Sequence, residues 1–342
     1  MLRNVARQLQ EDKGVTIRQP STAFFGVSSA DRYRTITERR GRPTYPFSFN
    51  ISRGESLLNG FFTRLALTEF QINWGLPNIS SAWKNNQIFL VRPAPAAPFL
   101  ITLADNFYTP QDVADVIQDI VQTAFPAIAF TAACDKSTGI IGFSANVNIS
   151  FRPVNLNGIY KELFDMLNFS YNAVAQGTTP ALTVYTGIPV LRFTDYIDIV
   201  CDQLTAVQDV KDTSTSKTPR DVVARIYLDE ATPSDATYQN PVATEIRDNA
   251  FVVTGYNTPA IGSGAKNNGV RPFIIYRQFA NPKQIKWEQS VPLGNVIFEI
   301  YDDQGRSIQQ MLNAASNPAT GTTPLQYALT CDWNASLLIS EN

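Results

Sequence analysis

The chain has 342 residues, with 28 basic and 30 acidic side chains, a formal charge of −2, 44% hydrophobic and 11% aromatic residues, and no histidine. The missing histidine excludes serine–histidine triads, imidazole metal ligands and histidine-driven pH switches. Charged residues make up only 17% and proline (21) outnumbers glycine (18), which predicts short strands joined by long ordered loops and a surface that meets other proteins.

Charge is distributed unevenly. Residues 1–45 hold nine basic and four acidic side chains, a net +5 ahead of a body carrying −7. A basic arm over 1–45 is therefore expected, suited to tether the body to nucleic acid or an acidic neighbour. Its opening, Met1-Leu2-Arg3-Asn4-Val5-Ala6-Arg7, has no apolar h-region, so no signal peptide is expected there. Nor does any window hold the ~20 uninterrupted apolar residues of a membrane span.

After the arm, Tyr45 to Ile51 alternates as a strand, Phe61 to Trp74 carries β-favouring residues, and Gln87 to Val91 makes another strand. The proline-rich run Pro93 to Pro98 closes this segment. Next comes Phe99 to Ser170, which reads strand, helix, strand, strand, helix. Thr109 is a suitable N-cap, Pro110 fits the first helical position, and Asp112 places negative charge at the positive helix end. Val113, Val116, Ile117, Ile120 and Val121 then mark one apolar helical face, predicting a helix over 110–123. Beyond Pro126 the period becomes 2, with Ile128, Phe130, Ala132 and Cys134 on one strand face. After the turn Lys136 to Gly139, the positions Ile141 to Phe151 alternate in the same way, and a second helix carries Tyr160, Leu163, Phe164 and Leu167.

Strands resume at 182–185, 190–193 and 196–201, and Val222 to Leu228 follows a polar loop at 212–217. Residues 229–270 show little periodicity apart from Phe251-Val252-Val253, and a loop that long is usually functional. Phe273 to Tyr276, Leu293 to Tyr301 and Tyr327 to Ile339 are the last predicted strands, with a turn at Asp302-Asp303-Gln304-Gly305. Irregularly spaced strands with long loops predict a mainly β fold: a single jelly-roll β-sandwich with a small α/β insertion and an extended N-terminal arm. The expected boundaries are 1–45 for the arm, 46–97 and 172–342 for the sandwich, and 98–171 for the insertion.

The order of these segments carries a resemblance. Leu65 to Ile79 followed by Asn85 to Phe89 resembles the first strands of the jelly-roll capsid proteins of polinton-like viruses and virophages. The block with Phe107-Tyr108-Thr109-Pro110, the Asp135 to Gly139 hairpin and Leu163 to Phe169 is similar to an insertion domain of such proteins. Pro292 to Gly305 resembles their penultimate strand and turn. The resemblance implies a virion structural protein. Chain length points within that family to the penton, a minor capsid protein forming homopentamers at icosahedral fivefold vertices beside major capsid protein neighbours. It further implies assembly inside the host cell, genome contact through the basic arm, and contact with a host receptor. A double jelly-roll major capsid protein and a receptor- or glycan-binding spike domain are the alternatives. Too little chain remains for two sandwiches once the insertion is set aside.

No catalytic, cofactor-binding or metal residue is assigned. Asp112, Asp115 and Asp119 are spaced as a solvated helix face, and Asp302-Asp303 as a hairpin turn. Asp229-Glu230, with those helix aspartates, is the one acid/base set that can be imagined and is not assigned, and Gly262-Ser263-Gly264 is a turn rather than a phosphate cradle. Asn78, Asn148, Asn168 and Asn334 open N-x-S sequons that are expected to serve local structure. Cys134, Cys201 and Cys331 lie far apart and are expected as reduced, buried thiols.

Overall fold

The computed structural model describes residues 22–33, 35–41, 44–52, 64–93, 97–135, 137–155, 161–170, 181–205, 222–228, 244–247, 253–257, 273–286, 295–315 and 326–340. The described strands begin with β1 (Thr22–Ser28), β2 (Ser48–Ser52), β3 (Arg64–Trp74), β4 (Gln87–Val91) and β5 (Phe99–Thr102). There follow β6 (Thr131–Cys134), β7 (Ile141–Arg152), β8 (Ala181–Tyr185), β9 (Tyr196–Val200), β10 (Val222–Tyr227) and β11 (Thr244–Arg247). The last are β12 (Val253–Asn257), β13 (Phe273–Gln278), β14 (Gln284–Lys286), β15 (Asn295–Tyr301) and β16 (Trp333–Ser340). Helices are α1 (Ile36–Gly41), α2 (Pro110–Ala124), α3 (Leu163–Met166), α4 (Asp202–Thr205) and α5 (Ile308–Ala315).

Eight of these strands form two sheets in the orders β1-β16-β3-β13 and β10-β9-β15-β2. Counted along the chain, the first of the eight pairs with the last (β1 with β16), the second with the seventh (β2 with β15), the third with the sixth (β3 with β13), and the fourth with the fifth (β9 with β10). All four rungs are antiparallel. They amount to one long hairpin ladder whose successive rungs go alternately to the two sheets. The sheets are completed by β16 against β3, β15 against β9, and the short β14, which also pairs with β3. This connectivity is a jelly roll.

The inner faces follow from the period of 2. Val296, Phe298 and Ile300 of β15 are buried with Ile197 and Ile199 of β9, facing Leu67, Phe70 and Ile72 of β3. At the centre stands Trp333, which contacts Phe49, Phe70 and Phe298 at ring-centroid distances of 5.3, 5.6 and 5.7 Å. Its indole N–H donates to the Pro46 carbonyl at 2.9 Å, so a polar group inside the core is satisfied.

A second core lies in the connection from β3 to β9. β5, β4, β7 and β6 form a sheet in that order, and β8 also pairs with β7. Helix α2 covers one face with Val113, Ile117 and Val121, packing among Ile141, Phe143 and Phe151. Thr109 caps the helix as expected, and Asp112 returns a bond to it, which makes a reciprocal capping box. Helix residues Gln118 and Gln122 bond to the Ala132 N–H and the Phe130 carbonyl, fixing the helix along β6. The β6–β7 turn closes with the Gly139 N–H donating to the Asp135 carbonyl, at a φ of +73° that favours glycine.

Four expectations are corrected. The described residues between 22 and 45 are not a free arm: β1 pairs along its whole length with β16, with Val27 buried and Phe25 packed on the core. Asp332 takes ion pairs from Arg32 and Arg39, consuming two of the arm's cations, while residues 1–21 lie outside the described residues. The insertion is also wider than 98–171, because β4 pairs with β5 and β7 while β8 pairs with β7, so both belong with its sheet. Residues 190–193 are not a strand, since Val190 donates to the Met166 carbonyl and leads the chain back toward β9. Helix α5 was missed although Ile308, Met311, Leu312 and Ala315 stand at helical spacing; Ile308 and Leu312 are buried and the other two pack on the core. The long connection at 229–270 contains the hairpin β11–β12; Phe251 and Val252 lie outside the described residues.

Replacing Trp333 with alanine removes the ring that three aromatics pack against and leaves a cavity. We expect a loss of about 3–5 kcal/mol in a urea unfolding experiment. A loss below about 1 kcal/mol would place the centre of the core elsewhere.

Candidate functional site

Among the described residues, the buried aspartates and Asn78 bond to the chain around them. Asp112, expected on a solvated helix face, is instead buried in the capping box; Asp115 accepts from Gln111, and Asp119 is exposed. Asp302 shapes the turn after β15: its carboxylate accepts from the backbone N–H groups of Gln304 and Arg306 and from the Arg306 guanidinium, at 2.7 to 3.1 Å. Burial pushes its pKa up, and the Arg306 charge pulls against that shift. Asp303 accepts from the Asp195 N–H and donates its own N–H to Thr194, which aligns the chain entering β9. On the outward face of the second sheet, fully buried Asp198 holds Arg225 in a bidentate pair at 2.8 and 3.0 Å, and the guanidinium lies 3.9 Å from the Tyr196 ring centroid.

The sequons divide in the same way. Asn78 is buried, donates to the carbonyls of Tyr108 and Leu191, and accepts from the Tyr108 N–H. Asn168 adopts a left-handed conformation (φ +54°) and accepts from the Gly187 N–H through its carbonyl. Asn148 and Asn334 are exposed on β7 and β16. Asp229-Glu230 and Gly262-Ser263-Gly264 lie outside the described residues. Among the described residues no group of three or more Cys, Asp and Glu side chains is arranged to hold a metal ion. All three cysteines are free; burial pushes the Cys201 and Cys331 thiols up to about 12, and Cys134 is the more exposed.

What remains is surface. Across β1, β16, β3, β13 and β14 the outward-pointing positions are Ser, Thr, Asn, Gln and apolar residues, with Arg64, Glu69 and Lys286 the charged exceptions among the described residues. Phe24 (75% exposed), Ile274 (62%) and Tyr276 (52%) project from it. Sequence reasoning found the low charge but not its location, which depends on which face of each strand the ladder turns outward. A solvated sheet face normally alternates charges with its apolar side; charge depletion with exposed aromatics is the composition of protein interfaces.

The fold is a jelly roll whose first sheet turns a charge-poor face outward. No family model matches the sequence, and no curated protein is similar to it. Among solved structures, the selenomethionine-labelled mavirus penton protein is similar at 12% identity and a TM-score of 0.46, over 95% of this chain and 100% of that one.

Two outcomes test the site description. Arg225→Met takes the bidentate counterion from buried Asp198 and should cost about 3–5 kcal/mol, whereas replacing both partners with apolar residues should restore most of the loss. Iodoacetamide at pH 8 should modify Cys134 first and reach Cys201 and Cys331 only after denaturant is added, read by intact mass. Equal reaction of all three in native protein would contradict the burial of the latter two.

Proposed function

We propose that this chain is a viral capsid subunit, specifically a penton-type protein that joins its copies into a closed ring at a fivefold vertex. The observation that carries the proposal is the outward face of the first sheet, uncharged over most of its width and studded with Phe24, Ile274 and Tyr276. One patch meeting a different patch on the next copy generates a ring when the rotation closes. Obligate contacts of this kind bury more than about 2,000 Å² in total. The resemblance of the segment order to virophage and polinton-like virus capsid proteins supports the same reading.

A single jelly roll favours the penton over a double jelly-roll major capsid protein, because the second described core is a sheet covered by a helix rather than a second sandwich. The protein works through interfaces and hydrolyses nothing. Residues 1–21 keep four basic and two acidic side chains and would tether the ring to neighbouring capsid proteins or the genome.

Light scattering and electron microscopy of the purified protein should show pentameric rings, and Ile274→Asp with Tyr276→Glu should return a folded monomer. A wild-type monomer at all concentrations, and a chain absent from the particle, would overturn the proposal. Deleting residues 1–21 should spare the fold and weaken incorporation. Deletion through residue 40 should unfold the protein, because it removes β1 from the first sheet.

A further inference from the structure

The insertion sheet has one face under α2 and one face open. On the open face β6, β7 and β8 lie side by side, and their register brings six residues into two cross-strand rows. One row is Ala133, Gly142 and Tyr185; the other is Thr131, Ser144 and Thr183. Neighbouring strands are ~4.8 Å apart and rows two residues apart, so the six form one small continuous surface.

The first row has a platform. A side-chain carbon at Gly142 would stand 2.9 Å from Cε1 and 3.2 Å from Cδ1 of Tyr185, so the tyrosine ring occupies the space above that glycine. With its ring over the Gly142 backbone, Tyr185 is still 65% exposed. A large aromatic held against a strand and left open to water offers one flat apolar face to a ligand. The second row has three hydroxyls, with Ser144 and Thr183 3.1 Å apart and sharing a single hydrogen bond. Each hydroxyl can donate once and accept twice, so the pair keeps unused capacity. None of the six residues is charged.

We propose that this surface binds an uncharged glycan, one sugar ring stacking on Tyr185 and its hydroxyls bonding to the Thr131–Ser144–Thr183 row. The negative face of an aromatic ring attracts the polarised C–H bonds on one side of a pyranose. Rows of hydroxyls, which donate and accept, match a sugar's own hydroxyls better than ions would. A protein partner is less well matched, because the surface is small and has a single aromatic anchor. An anionic glycan is less well matched because no cation is among the six residues. One such shallow site is weak, with a Kd on the order of 1 mM. Several copies in a ring raise the avidity without new contacts, a gain that rests on the assembly proposed above, whereas the site itself does not.

The test presents the full chain to an immobilised panel of neutral, sialylated and sulfated oligosaccharides, then measures saturation-transfer NMR with the strongest neutral binder. Transfer should reach one face of a single sugar ring, Tyr185→Ala should reduce binding about tenfold or more, and Tyr185→Phe should retain it. Thr183→Val, an exposed substitution that leaves the ring in place, should weaken binding several-fold, and thermal melts confirm that each variant is folded. Measuring the variants as isolated subunits as well as assemblies separates loss of the site from loss of the ring. Binding to no neutral glycan, binding only to charged glycans, or unchanged binding in folded Tyr185→Ala would overturn the proposal.

Discussion

An insertion inside a jelly roll has to return the chain to the place it left, and this closure is what the rest of the molecule depends on. The chain leaves the sandwich at Trp74, the last residue of β3, and comes back through Phe193 just ahead of β9. Trp83 stacks on Phe193 at 4.2 Å and 7°, and Phe193 lies parallel to Trp74 at 5.9 Å and 11°. The outgoing and returning segments are thus bound to the end of the strand between them. Asn78 adds a hydrogen bond from the outgoing segment to the Leu191 carbonyl of the returning one, and the Trp83 indole bonds to Pro77. Lengthening a closed loop costs only about 0.6 kcal/mol per doubling, so a clamp of aromatic stacking and buried hydrogen bonds is enough to seat a whole extra core. Without it the third and fourth strands would enter separate sheets with no fixed relation.

Much of this was legible in sequence because each jelly-roll strand has one buried face. Val296, Phe298 and Ile300 announce β15 through strict alternation, and Thr109-Pro110 with the apolar stripe after it announces α2. The boundaries of the insertion were not legible. Gln87 to Val91 reads as a strand with no sign of which sheet it joins, and the proline run after it resembles a domain border although the chain merely turns into β5. β1 was hidden by charge: arginines near it marked a solvated arm, yet Arg32 and Arg39 are neutralised by Asp332, about 300 residues away in sequence. A pairing between the two ends of a chain leaves no local trace. The open-face rows of the insertion were equally invisible, since Gly142 and Tyr185 become neighbours only through the β7–β8 register.

The edges of the sandwich explain why assembly is assigned to faces. β10 and β13 are edge strands of opposite sheets, and an unpaired edge invites indiscriminate strand addition. Here Arg277 of β13 donates to the Tyr227 carbonyl and Lys283 donates to the Val222 carbonyl, so cations cap acceptors at both ends of β10. At the opposite side, Arg32 and Tyr33 both bond to the Thr44 carbonyl, tying the chain after β1 to the approach to β2. Long basic side chains that bond across a rim leave less of the edge free for pairing.

The same division governs charge throughout. Asp198, Asp302 and Asp332 each hold an arginine, and in doing so fix a sheet row, a turn and the join between chain ends. A buried pair contributes little net stability against an apolar alternative but makes wrong arrangements expensive, since either partner alone is an uncompensated charge. Charges used in this way are bound to one another, and the outward face of the first sheet and the open face of the insertion are left mainly with hydroxyls, amides and apolar groups. Two consequences follow from one economy. The broad face of the first sheet can approach another protein without desolvating ions, and the small face of the insertion can meet a neutral ligand without competing ions. A charged side chain introduced on either face would therefore act on contact while leaving the fold intact, because the interactions that specify the fold are made on the other side of each sheet.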